Sequence, residues 1–439
     1  MSEVETGPGF VANYPPFAHW TEDATSEVQA VLDAAPRPGT PLGAYVHVPF
    51  CRKRCRFCYF KVYTEKPAAE LRRYVDGVLA EARLYAARPL VGGRLLDFLY
   101  VGGGTPSYLS SDQIDGLLGG LRAALPWSAG AELTYECEPG TVRAQKIAVL
   151  VEHGVSRVSL GVEAWDDHVL EVNGRAHTSA QVEPAYRICR DAGVPQINLD
   201  LIAGMVGETE QSWRESVART LALEPDSVTI YQLEIPTNTE LFRTLKQGGE
   251  LGGAVADVAT RRRWAREAFE TLQRAGYTMT SGYTAVRGDP TGRFVYRDSL
   301  WHGADMIPLG VSAFGQLSGV HLQNDKHLGA WQDRVESGRL PLQRALRMSA
   351  DEQLVREWIL QLKLGHVEPA YFRDKFGVDP LERFEAPLRQ LARHGLVDVD
   401  PAGVTLSWDA LLQVDRLLPV FFAPEHGGPA PGMEVALGQ

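Results

Sequence analysis

Three cysteines within eight residues, Cys51, Cys55 and Cys58 of "YVHVPFCRKRCRFCYF", are the densest concentration of chemistry in the chain. Three thiols cannot form two disulfides, and they fall one short of a closed four-ligand zinc site. Thiolates also hold iron–sulfur clusters, and three of them on a cluster of four irons leave one iron open to another ligand. A zinc knuckle completed by His47 or a distant residue is the other reading of CxxxCxxC alone. Cys137 and Cys189 fall in a strand pattern and a helix pattern and read as core thiols, with Cys137 at a strand end. The glycine run "GGGTP" at Gly102–Pro106 offers bare backbone to a ligand.

The elements that position these residues follow from hydrophobic period. "GAYVHVPF" reads as a strand entering the cysteine loop, and Ala68–Ala87 has apolar residues at helical spacing. A buried strand at Leu95–Val101 ends in the glycine run, and a helix with a Ser/Asp start follows. Strand and helix then alternate through "ELTYECEP", "RVSLGVEAW", "QINLDLIAGM" and "SVTIYQLEI", closing with the helix "RRRWAREAFETLQRAG". The alternation predicts a parallel sheet, and the polar residues at its strand ends converge on one mouth if it curls into a barrel. Six units predict an α/β fold built as a partial (β/α)6 TIM-type barrel. The expected organisation is an N-terminal leader over 1–40, the barrel over 41–290 and a connecting segment over 291–346 lining the site. A winged-helix-like α+β domain over 347–422 and a disordered tail over 423–439 complete it. The wing segment carries no basic recognition helix, so it reads as a lid or docking module.

Composition limits the function classes. The chain has 439 residues, 44% hydrophobic and 23% charged, and a net charge of −11. That charge argues against nucleic acid or an anionic membrane as partner. The N-terminus shows no secretory signal and no stretch approaches a membrane span, so a cytoplasmic protein is expected, where clustered cysteines mean metal or catalysis.

The cysteine loop at the first strand, taken with "GGGTP" at the second, resembles the radical S-adenosylmethionine (SAM) superfamily. "YVHVPFC", "GGGTPSYL", "RVSLGVE", "NGRAHT", "NLDLIAGMVGET" and "IYQLEIPTNTEL" are similar to the branch containing oxygen-independent coproporphyrinogen oxidase and related haem chaperones. "YRDSLWHGADMIPLGVSAFGQLSGVHLQN" resembles that branch's methyltransferases, including the class C methylases. The resemblance implies that Cys51, Cys55 and Cys58 ligate a 4Fe–4S cluster whose open iron is chelated by SAM. It places Tyr45, Gly102, Gly103 and Glu136 with this SAM, Arg175 at its carboxylate, and Asp200 and Glu163 at its ribose. It implies a second SAM on Gly104, Thr105, Gln232, Glu234, Ser312 and Phe314, with Phe294 beside them.

Two departures steer the reading away from porphyrin oxidation. The oxidase has a further cysteine two residues after the third ligand, where this chain has Phe60, and the chaperones usually have aspartate where this chain has Tyr59. The sequence therefore leads us to expect a class C radical SAM methylase or cyclopropanase. It would use two SAM molecules to transfer a methyl or methylene group to an sp2 carbon of an unsaturated specialised metabolite. Glu234, Tyr231 and His302 are the candidate bases. A flavodoxin- or ferredoxin-type electron donor and a partner methyltransferase are the expected protein partners. The alternative is a porphyrin- or haem-handling protein.

Overall fold

The structure is a computed structural model that describes residues 9–289 and 294–429. Six strands run parallel in chain order: β1 (Leu42–Val48), β2 (Leu96–Gly103), β3 (Trp127–Cys137), β4 (Arg157–Glu163), β5 (Gln196–Ala203) and β6 (Ser227–Gln232). Helices at Ala68–Ala86, Ser111–Ala124, Ala144–Glu152, Val182–Asp191 and Glu210–Ala222 cross between them. This is the α/β architecture of a partial TIM-type barrel, as the alternating pattern predicts. Each crossover helix buries one apolar stripe, for example Ile114, Leu117, Leu118 and Leu121, against the sheet. Ser110 starts that helix with a reciprocal capping box to Gln113, which satisfies two otherwise orphaned backbone donors.

The parallel sheet is larger than six strands. Two short strands, β7 (Tyr277–Met279) and β8 (Thr284–Arg287), close the far edge in antiparallel pairing beyond β6. On the near edge β9 (Asp305–Leu309) pairs parallel with β1, Gly43 facing Met306. The meander β10 (Phe314–Leu317), β11 (Val320–Asn324) and β12 (Leu342–Arg347) continues that edge. The sequence predicts here a connecting segment lining the site. Pro308 inside β9 obscures it, because proline cannot donate to a ladder and argues against an interior strand. Buried Asp305 is matched by Arg94 at 2.8 Å, which pins the entry to β9. Glu81, fully buried, accepts from the Gly310 N–H at 2.8 Å, Asn324 Nδ2 at 2.6 Å and Trp331 Nε1 at 3.0 Å. One carboxyl thus ties the Ala68–Ala86 helix to the β9–β10 turn, to β11 and to the Leu328–Glu336 helix.

The C-terminal part has its own core, in which Trp358 packs against Phe372, Phe384 and Phe421. Helices at Pro369–Phe376, Pro380–Arg383 and Glu385–Arg393 accompany a small sheet of β13 (His366–Val367), β14 (Val397–Asp400) and β15 (Gly403–Leu406). The N-terminal residues join both cores rather than trailing as a leader. Val28, Val31 and Leu32 pack into the barrel core, and Tyr14 packs with the C-terminal aromatics. Residues 423–429 include a turn at Pro424–His426, whose His426 Nε2 contacts Glu352 at 2.9 Å. The remainder of the expected disordered tail, 430–439, and the boundary at 290–291 lie outside the described residues. Among the described residues no helix is long and apolar enough to cross a membrane.

Candidate active site

The cysteine loop and the glycine run are fastened to each other before any side chain is considered. The Gly104 N–H donates to Val48 O and the Thr105 N–H to Phe50 O, each at 2.8 Å, so the end of β2 is laced to the exit of β1. The Cys51 N–H and the Tyr63 N–H close the far side of the loop on Tyr63 O and Pro49 O. A Cβ on Gly104 would lie 2.9 Å from Cys51 Sγ and from two backbone oxygens, so glycine is required for this approach. Gly103 has φ +112, and a Cβ there would strike the His47 ring.

The thiols suit a cluster better than a single ion. All five cysteines are free, and among the described residues no three His, Cys, Asp or Glu side chains converge on one metal position. His47 meets the Tyr45 hydroxyl through Nδ1 at 3.0 Å, burial lowers it to about 4, and its buried Nε2 has no partner. The sulfurs have hydrogen-bond donors of the kind thiolates need, with Thr105 Oγ1 at 3.4 Å from Cys51 and Arg175 Nη1 at 3.4 Å from Cys55. Burial pushes the Cys51 thiol up to about 12 and the Cys58 thiol up to about 11, so metal must displace their protons.

Carboxylates at successive strand ends face the same space. Glu136 accepts the Tyr100 hydroxyl at 2.6 Å and the Gly103 N–H at 3.0 Å; burial pushes it up to about 7. Glu163, at a bulge of β4 with φ +64, is also pushed by burial to about 7 although Arg175 stands 3.4 Å away. Asp200 is held by Ser159 Oγ at 2.7 Å and Asn198 Nδ2 at 2.9 Å; burial raises it too. Arg175 donates from Nη2 to Gly161 O at 2.7 Å, and its buried Nε has no partner. Arg175 is therefore an interior group rather than part of a surface ion pair.

These groups line one cavity of about 450 Å³ at the mouth. The cavity brings together Cys51, Cys55, Cys58, Gly103, Gly104, Thr105, Glu136, Glu163, Arg175, Asp200, Tyr231, Gln232 and Glu234 of the residues expected from sequence. Gly102 lies just behind it, where a Cβ would meet Tyr100 and Glu136. Six placements need correction or comment. His302 is not at the mouth: it caps the Val295–Trp301 helix and lines a separate hollow with Tyr371 and Lys375. Phe314 packs on Phe17 and Trp20, and Ser312 turns the chain at φ +61 with its N–H on Asp325 O. Phe294 lies under the Arg157 guanidinium at 4.1 Å, and Tyr45 is turned to His47, so neither lines the cavity. Gln232 does line it, but donates to Leu412 O at 2.8 Å. The contacts assigned to a second SAM are thus not gathered as a set.

Several wall residues went unrecognised. Ser159 shares the face of Gly161 by strand period, a signal that was readable in "RVSLGVE". Phe10, Tyr283 and the segment Leu411–Asp415 also line the cavity, and nothing in their local sequence announces it.

A strand-end mouth with a three-cysteine loop and a glycine cradle defines a class, and comparison agrees with it. The Radical SAM superfamily profile matches residues 45–219, from β1 to the helix after β5, so this part of the chain is similar to that superfamily's domain. The chain is 27% identical over 440 residues to the oxygen-independent coproporphyrinogen III oxidase of Escherichia coli (strain K12), covering 95% of this chain and 92% of that one. It is 28% identical over 386 residues to the heme chaperone HemW of Mycobacterium tuberculosis (strain ATCC 25618 / H37Rv), covering 88% of this chain and 95% of that one. The solved structure of the Escherichia coli coproporphyrinogen III oxidase, a radical SAM enzyme, superposes with a TM-score of 0.80 at 26% identity, over 93% of this chain and 96% of that one.

These likenesses overturn the expectation of natural-product methylation or cyclopropanation. That expectation rested on Phe60, on Tyr59 and on the stretch "YRDSLWHGADMIPLGVSAFGQLSGVHLQN", but the likeness to the oxidase and the chaperone runs through most of the chain. Phe60 packs on His47 and Tyr59 with ring centroids 5.8 and 4.4 Å away, which is an aromatic packing role. The radical SAM fold implies a 4Fe–4S cluster and SAM.

Proposed function

We propose that the chain is a radical SAM protein acting on a tetrapyrrole, in an oxidase-like reaction on a porphyrinogen. The observation that carries this reading is the length of the likeness: it covers the barrel, the strands after it and the C-terminal core together. A haem-carrying role is the second reading, favoured by the similarity to the heme chaperone and by Phe60 in place of the oxidase's extra cysteine.

In this reading Cys51, Cys55 and Cys58 hold the cluster, with Gly103–Thr105 and Arg175 around the SAM carboxylate end. When bound, the cluster and SAM supply a one-electron, hydrogen-abstracting chemistry that no side chain can supply. The protein's own contribution is placement and exclusion of water. Arg175 suits a carboxylate through its fork and unpartnered Nε. Asp200, fixed by Ser159 and Asn198, offers acceptor oxygens to sugar hydroxyls. Glu136 keeps the glycine cradle in place through the Gly103 N–H. Arg52, Lys53 and Arg54 are exposed and have no acidic partner among the described residues, which suits the approach of an acidic electron carrier.

The distinguishing experiment is anaerobic incubation of the cluster-loaded chain with either a porphyrinogen or haem. Conversion of the porphyrinogen with matching SAM consumption supports the first reading. Stoichiometric haem uptake with little SAM consumed supports the second, and the absence of both outcomes refutes both readings.

A further inference from the structure

Several arginines on the outside of this acidic chain stand beside a carboxylate: Arg73 with Glu336, Arg187 with Glu183, and Arg263 with Glu210 and Glu267. Arg262 and Arg416 do not. Among the described residues neither pairs with a carboxylate, and the buried Nε of Arg262 has no partner at all.

These two arginines belong to one group. Arg262 and Arg266 lie one turn apart on the Val258–Arg274 helix and so share a face. Arg416 belongs to the short helix Val414–Leu417, just after the helix Trp408–Leu411. A contact between Arg266 and Asp409 fastens the long helix to this C-terminal part. All three arginines are half-buried, whereas Asp409 is exposed. Burial first, and then the Arg416 and Arg266 charges, lower Arg262 below the ordinary arginine range, so like charges face one another here. Three guanidiniums against one carboxylate leave two positive charges uncompensated. Like charges held close in partly dry surroundings cost free energy until an anion neutralises them.

We propose that Arg262, Arg266 and Arg416 form a binding site for a phosphate group, either the free ion or one carried on a nucleotide. A guanidinium fork matches the oxygens of phosphate, and a phosphate dianion matches two uncompensated charges where a carboxylate matches one. None of the three arginines lines the mouth cavity, so the site is separate from the one described above. The elements that carry them do build its wall, through Ala265 and Phe269 of the long helix and through Leu411–Asp415. A phosphate held between them therefore braces that wall.

The test is urea unfolding of the cluster-loaded chain with inorganic phosphate, adenosine diphosphate or acetate, at equal ionic strength. A ligand that binds only the folded chain raises the unfolding midpoint as its concentration rises. Wild type should respond to phosphate or to the nucleotide, and not to singly charged acetate. A response to inorganic phosphate identifies the free ion as sufficient; a response to the diphosphate alone identifies the nucleotide. Arg262→Gln and Arg416→Gln should each raise the dissociation constant drawn from that response about tenfold or more, the scale of a charge-assisted bond. Equal midpoints of wild type in all three anions overturn the proposal without any variant. A phosphate response that both variants keep in full also overturns it, because that is the general stabilisation phosphate gives any folded chain.

Discussion

Arg175 has one guanidinium serving three acceptors: Cys55 Sγ, Gly161 O and the Glu163 carboxylate. A lysine could keep the charge but not this fork. Arg175→Lys should therefore weaken SAM binding to the loaded chain by about tenfold or more, read by equilibrium titration. Unchanged affinity would remove Arg175 from the site. Glu81 offers a test of a different kind. Burial pushes it up to about 8 from an ordinary 4.5. The folded chain then holds a proton that the unfolded chain releases, so this group's contribution falls as pH rises from about 4.5 to 8 and is flat above. The stability of wild type relative to Glu81→Gln should decline across that window in urea unfolding, by a few kcal/mol at most. A pH-independent difference would show that Glu81 is ionised in its pocket. At this scale the residues that line the cavity were legible where their types are rare or their motif distinctive, as with the cysteines and Arg175. His302 is not at the mouth, and its motif gives no direction: it ends its helix beside a separate hollow.

The strand ends and the loops that follow them position the site. The lacing of Gly104 and Thr105 to the exit of β1 fixes where the first cysteine sits. Gly104→Ala would push a methyl against Cys51 Sγ and two carbonyl oxygens. The barrel does not depend on that position, so the variant should keep its far-ultraviolet circular dichroism while binding less than half the iron of wild type, about one part in two or lower. Full iron loading would mean that the loop yields more easily than the lacing suggests. The six alternating strands were legible from apolar runs bounded by glycine and polar residues. β9 was not, since Pro308 and buried Asp305 in "DMIPL" both argue against an interior strand. Its tolerance depends on Arg94, more than two hundred residues away along a chain whose pairing no local pattern reveals.

At the scale of the whole molecule, Phe10 in the N-terminal part and Leu411–Asp415 in the C-terminal part form wall of the same cavity. Fully buried Lys363, in the C-terminal part, reaches Val11 O at 2.6 Å and Asp415 at 2.7 Å, while the Val11 N–H donates to Asp415 at 2.8 Å. Its ammonium also lies 4.0 Å from the Phe10 ring centre. Lys363→Met would leave Asp415 buried without its cation, a change that costs about 3 kcal/mol or more in comparable pairs. The midpoint of urea unfolding should fall accordingly, and the segment around Val11 should become open to protease. No loss of stability would show that the pair only fills space. None of this arrangement was legible, because it joins positions 11, 363 and 415 and depends on three separate elements docking. The central claim, radical SAM chemistry directed at a tetrapyrrole, is tested most directly by one measurement. The cluster-loaded chain is given SAM, dithionite and coproporphyrinogen III without oxygen, and both the 5′-deoxyadenosine and the tetrapyrrole are followed by mass spectrometry. The account predicts 5′-deoxyadenosine formed in step with a mass change of the porphyrinogen. SAM cleaved at the same rate with and without an unaltered porphyrinogen would contradict it.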